Sequence, residues 1–149
     1  MGGLYGVQLA LSGVQVSMVE KNPHALSAIQ EHGFHLSGLT GDHFVKLHAE
    51  CDPSQLEPVD VAFIHTDTNK PADAAQHAKR WLKEDGFAVT FQNGIGNVNI
   101  LQETLGNDRV LGGISYHSAR LDAPGHSVHT NANTTWIGEL NGDISERAR

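Results

Sequence analysis

Hydrophobic and polar positions change period repeatedly along the chain, and each change marks an element. Leu4, Val7 and Leu11 recur at helical spacing over residues 1–13, with Gly13 placed where a C′ glycine ends a helix. Val14-Gln15-Val16-Ser17-Met18-Val19 alternates strictly, which predicts a strand. The turn Glu20-Lys21-Asn22-Pro23 then offers Asn22 as N-cap and Pro23 at the first helical position. The helix it launches carries Leu26 and Ile29 inward and stops at Gly33. Residues 34–49 predict two short strands around Gly38 and Gly41, and residues 53–58 a turn or short helix. Val59-Asp60-Val61-Ala62-Phe63-Ile64 is nearly continuous in apolar residues, the mark of a strand covered on both faces. A polar loop over 66–70 leads to a helix over 71–83, with Ala74, Ala78, Trp81 and Leu82 on one stripe.

The stretch Ala88-Val89-Thr90-Phe91-Gln92-Asn93-Gly94-Ile95-Gly96-Asn97 is the centre of the pattern. A short β-branched run meets a polar turn with two glycines, and Val98, Leu101 and Leu105 then point inward from a helix. On its own residues this is an ordinary strand–turn–helix with Asn97 as N-cap. It is equally a ligand loop, because open α/β sheets bind at the carboxyl ends of their strands and Asn93 falls there. Residues 110–116 predict another strand, and 126–130 with 134–139 a closing hairpin. Residues 145–149 begin a further helix. Strands alternating with helices of this length imply βαβ units and a mostly parallel sheet, an α/β fold.

Composition narrows the function. The chain of 149 residues suits one domain, with 39% hydrophobic and 18% charged residues. A net charge of −7 and the absence of a basic cluster argue against a nucleic-acid partner. The uncharged first nineteen residues are too interrupted by Gly6, Gln8, Ser12, Gly13, Gln15 and Ser17 to span a membrane, so a cytoplasmic protein is expected. Cys51 is the only cysteine, which excludes an internal disulfide. The ten histidines are scattered, and His126 and His129 would face opposite sides of a strand, so no metal site is expected.

A helix opening on Gly2-Gly3 before a strand that ends in Glu20-Lys21 matches the second half of a dinucleotide-binding βαβ unit. Further pieces follow in order. They are Met1-Gly2-Gly3-Leu4-Tyr5-Gly6, Phe91-Gln92-Asn93-Gly94-Ile95-Gly96-Asn97, and Arg109-Val110-Leu111-Gly112-Gly113. Tyr116-His117-Ser118-Ala119, Ala123-Pro124-Gly125-His126, His129-Thr130 and Ile137-Gly138-Glu139 complete the set. Together they resemble the N-terminal domain of the ketopantoate reductase (2-dehydropantoate 2-reductase) family.

That resemblance implies a Rossmann-type, doubly wound domain over 1–149 that binds NADP (NADPH), with a helical catalytic domain following in the family. It implies reduction of the small 2-keto acid 2-dehydropantoate to (R)-pantoate, on the way to pantothenate. Gly2 carries over as the third glycine of the phosphate loop, and Lys21 falls where the family places an arginine for the 2′-phosphate. Asn93 with Gly94 takes the place beside nicotinamide and substrate, and Ala119 lies on a cofactor-lining strand end. The departures are equally specific. The family's first strand and first two glycines would precede Met1, and its catalytic lysine lies in the helical domain, so this chain is expected to lack turnover alone. Asp67 stands where the family usually has a lysine, with Lys70 nearby. Glu20 and Lys21 point to opposite coenzymes, since an acid suits the ribose of NAD and a cation the phosphate of NADP. The alternatives are a non-catalytic nucleotide-binding remnant, or a reductase of another small 2-keto acid. Strand edges left open by a missing strand would favour self-association.

Overall fold

A computed structural model describes residues 1–66, 71–93 and 96–149. In chain order its elements begin with α1 (Gly2–Leu11), β1 (Ser17–Val19) and α2 (Pro23–His32). Short strands β2 (Phe34–Gly38), β3 (His43–Val45) and β4 (His48–Glu50) follow, then β5 (Val59–Ile64) and α3 (Pro71–Trp81). The rest comprises β6 (Leu82–Thr90), α4 (Asn97–Leu105), β7 (Val110–Ser115), β8 (Ser118–Ala123), β9 (His126–Asn131) and β10 (Thr135–Glu139). The fold is mixed α/β, with parallel pairing in β1–β4, β2–β9, β5–β6 and β6–β7. The chain forms two compact units, Met1–Leu56 with Tyr116–Asn133, and Glu57–Ser115 with Thr134–Arg149.

In the first unit, local signals set the helix ends. The Asn22 side-chain oxygen accepts hydrogen bonds from the amides of His24 (2.9 Å) and Ala25 (3.2 Å), and Pro23 opens α2. Gly13 and Gly33 end α1 and α2 with φ of +89° and +86°, a conformation Cβ disfavours. The sheets are β1–β4 and β3–β2–β9–β8, with Leu36 opposite Ser127. The core joins Leu4 and Val7 of α1, Ile29 of α2, and Phe34, Leu36, Leu47 and Ala49. Its tightest point is Gly3, where a Cβ would lie 2.1 Å from the end of the Phe34 ring.

Several expectations for this unit need correction. Leu11 is 52% exposed, because the apolar face of α1 ends a turn earlier at Val7. Val14 is exposed too, and the first strand shrinks to Ser17–Val19, the length that β4 can pair. Residues 34–49 form three strands, not two, since β4 leaves the β2–β3 hairpin to pair with β1. The expected hairpin between 126–130 and 134–139 does not form. β9 pairs with β8 and β2, whereas β10 pairs with β7 in the other unit's sheet.

The second unit is the sheet β10–β7–β6–β5 with α3 and α4 packed on one face. Ala62, Ile64, Ala88 and Val110 of the sheet meet Ala74, Ala75 and Ala78 of α3 and Leu101 and Leu105 of α4. β5 buries Ala62 and Ile64 on the helix-covered face, while Val61 and Phe63 on the opposite face are only half-buried, so the strand is covered less evenly than its composition suggested. α3 stops at Trp81 instead of 83. Leu82 pairs with Val59, Lys83 bonds Asp60 at 2.8 Å, and the indole of Trp81 donates to the Glu57 carbonyl at 3.0 Å. The β5–β6 register shifts between Val59 and Val61. Arg109 holds that irregular stretch, donating to the carbonyls of Gly86 (2.7 Å) and Lys83 (2.6 Å).

Residues 146–148 make one turn of 3₁₀ helix clamped to β10. Arg147 donates to both carboxylate oxygens of Glu139 (2.7 and 2.6 Å), and the Ser145 hydroxyl donates to one of them. These hydrogen bonds hold the Glu139 carboxyl down at about 2, from its usual 4.5.

Two outcomes follow from this packing. Gly3→Ala should destabilise folding by about 1–3 kcal/mol through overpacking, and Phe34→Leu in the same chain should recover most of it. Denaturant titration of the single and double variants checks this, and equal stability of Gly3→Ala and the parent would refute it. For the clamp, the folded carboxyl titrates below the unfolded one, so its stabilisation is complete above pH 4.5 and lost as pH falls toward 2. Arg147→Met should lower the melting temperature at pH 7 and converge on the parent near pH 2, which a pH series of thermal melts would read.

Candidate functional site

The parallel strands β5, β6 and β7 run in one direction, so their carboxyl ends lie together at one edge of the sheet. The chain leaving β6 is tied there from both sides. The Phe91 amide reaches the Ile64 carbonyl at 3.5 Å, and the Gln92 amide donates to the Thr90 hydroxyl at 3.3 Å. The Gln92 side-chain amide crosses to the end of β5, donating to the Thr66 carbonyl (2.8 Å) and hydroxyl (3.2 Å). Asn93 follows, exposed, and its carbonyl accepts a 2.7 Å hydrogen bond from the side chain of Asn97. Asn97 is therefore not the N-cap. Gly96 takes that place with φ of +97°, and Asn97 is the buried first residue of α4, with its side chain turned back toward Asn93. Gly94, Asp67 and Lys70 lie outside the described residues, as does most of the loop expected over 66–70.

Beneath this turn the Phe91 ring packs on Gly113, where a Cβ would stand 2.3 Å from it. The ring lies parallel to His65, 5.3 Å between centroids, and to Phe63 at 5.9 Å. Burial pushes the His65 imidazole down to about 4, so it is neutral at physiological pH.

In the first unit, Gly2 is the first residue of α1, whose N-terminus carries no side-chain cap and no acid in its first turn. A helix start without a cap or an acid is the kind of end that suits an anion. The N-terminus of α4 has the same character. At the end of β1, the Glu20 carboxylate is engaged by the Asn22 amide at 2.7 Å. The exposed Lys21 ammonium donates to the Cys51 carbonyl at 2.5 Å. An ammonium has three donors, so this contact leaves two for a ligand. Ala119 lies half-buried on β8, packed against the cluster of Leu4 and Val7. His117 faces His129 at 3.0 Å between ring nitrogens, and the same His129 nitrogen reaches the Asn131 carbonyl at 2.8 Å. His126 instead bonds Ser37 at 2.8 Å, so the two histidines of β9 have separate partners. Sequence reasoning singled out Asn93 but missed the Gln92 strap and the backward turn of Asn97. A side-chain amide flanking the turn on each side was the available signal. Among the described residues, no helix is long and apolar enough to cross a membrane.

Comparison with known proteins points one way. The family model described as ketopantoate reductase PanE/ApbA matches residues 1–142. The chain is 33% identical to the 2-dehydropantoate 2-reductase of Archaeoglobus fulgidus, covering 99% of this chain and 47% of the relative. It is 32% identical to that of Pyrococcus abyssi, covering 93% and 44%. The crystal structure of 2-dehydropantoate 2-reductase from Geobacter metallireducens superposes with a TM-score of 0.87 at 25% identity, over 98% of this chain and 48% of that one. A D-mandelate dehydrogenase with NADH and anilino(oxo)acetate shares the fold at TM-score 0.82 and 22% identity, over 95% and 47%. The chain thus spans about half the length of the relatives it matches.

The half-buried His65 yields a pH signature. Its folded value near 4 lies below the ordinary 6.5, so the unfolded chain takes up the proton first and stability falls as pH drops from 6.5 toward 4. His65→Phe should flatten that segment of the curve in denaturant titrations at pH 7, 5 and 4. Parallel curves for the two proteins would contradict it.

Proposed function

The chain belongs to the ketopantoate reductase PanE/ApbA family, and on that premise we propose that it is the NADPH-binding part of a cytoplasmic 2-dehydropantoate 2-reductase. In the whole protein, hydride would pass from NADPH to the keto carbon of 2-dehydropantoate, giving (R)-pantoate. This chain supplies cofactor binding and Asn93. The family's helical domain supplies the lysine that protonates the carbonyl oxygen.

The roles divide by chemistry. Gly2 opens α1 for the pyrophosphate, whose charge suits first-turn amides without a competing cap or acid. Lys21 meets the 2′-phosphate. Asn93 and Gly94 serve the nicotinamide and the substrate carbonyl, and Ala119 lines the cofactor. The observation that carries the NADP reading is the split between neighbours at the end of β1. One oxygen of the Glu20 carboxylate is engaged by the Asn22 amide, which ties that group into the turn leading to α2, while Lys21 keeps an exposed cation. A second reading is a reductase of another small 2-keto acid using NADH. It draws on the fold shared with the D-mandelate dehydrogenase bound to NADH.

Calorimetric titration separates them. The chain should bind NADPH more tightly than NADH, and Lys21→Ala should weaken NADPH about tenfold, the equivalent of about 1.4 kcal/mol, without changing NADH. Tighter NADH binding by the parent would select the second reading, and binding of neither would remove both.

A further inference from the structure

We propose that Gln92 and Asn97 are positioning residues that hold Asn93 at the carboxyl end of β6, and thereby set how much the nicotinamide half of the cofactor contributes to binding. This rests on the reading of Asn93 given above and extends it to residues that would not touch the ligand. Asn93 is exposed, so its direction depends on its backbone. That backbone is tethered on both sides. Upstream, the Gln92 amide nitrogen is fixed on the Thr66 carbonyl (2.8 Å), an atom that can only accept, while Thr90 donates to the Gln92 side-chain oxygen at 3.3 Å. Downstream, the Asn97 amide nitrogen is fixed on the Asn93 carbonyl at 2.7 Å, again an acceptor only. Each amide therefore has one orientation that satisfies its partners.

Both anchors adjoin packed elements. Thr66 continues from β5, which is paired with β6 through Ile64 and Thr90. Asn97 is 6% exposed and opens α4, which packs through Leu101 and Leu105. An aspartate or serine at this position would favour capping α4, because its oxygen accepts from the helix amides. An asparagine that donates backward forgoes that cap and ties the helix to the residue four positions earlier. A tethered Asn93 has less freedom to lose when ligand arrives, and that saving appears only in contacts made by Asn93.

The test compares NADPH with the 2′-phosphorylated ADP-ribose half of the cofactor, which lacks nicotinamide. Gln92→Met and Asn97→Ala remove the donors without adding charge. Each should weaken NADPH by about 3- to 10-fold, the range of one hydrogen bond, and leave the half-ligand unchanged. In a chain already carrying Asn93→Ala, neither change should weaken NADPH further, because coupled residues are non-additive. A merely structural role would lower the melting temperature and weaken both ligands together, and that result overturns the proposal. So does unaltered NADPH affinity in both variants, or a parent chain that binds the two ligands equally. If the parent binds neither ligand, the cofactor reading itself fails and the proposal falls with it.

Discussion

Parallel pairing of β5 with β6 is the constraint on which the second unit depends. Parallel neighbours cannot be joined by a tight turn, so the connection must cross over, and α3 occupies that crossover. With α3 and α4 on one face, α3 contributes small side chains to the layer and α4 large ones, Leu101 and Leu105. Ala62, Ala74, Ala75, Ala78 and Ala88 are all buried in this layer. The same pairing brings Ile64 and Thr90 side by side and so makes the strap from Gln92 to Thr66 short enough to form.

What could be read from the residues alone divides by range. The start of α2 was legible because Asn22, Pro23 and Gly33 act on their immediate neighbours. The end of α3 was not, because helical spacing continues through Leu82 while the contest is decided by Val59 and Asp60, more than twenty residues away. The destinations of β9 and β10 were hidden for a related reason: alternation marks a strand but does not name its partner. The turn carrying Asn93 was located from strand, glycines and helix in succession. Its internal bonding was misread because Asn97 is as good a cap as a tether until the neighbouring carbonyl is placed.

Family membership and local chemistry bear on different parts of the problem. Membership rests on a match that runs almost the length of the chain and on relatives about twice as long. The proposed coenzyme choice instead rests on two adjacent residues, Glu20 and Lys21, whose side chains do different jobs in the same turn. One completes the turn leading into α2, and the other reaches the Cys51 backbone.

The register shift in β6 divides the strand. Pairing resumes at Phe87 after the break following Leu82, so exposed Lys83, Glu84 and Asp85 lie between two anchored segments. Bulges of this kind absorb a change of length locally, and here the carbonyls of Lys83 and Gly86 held by Arg109 mark its two ends. The irregular amino end of the strand is thereby separated from the regularly paired end that leads to Asn93.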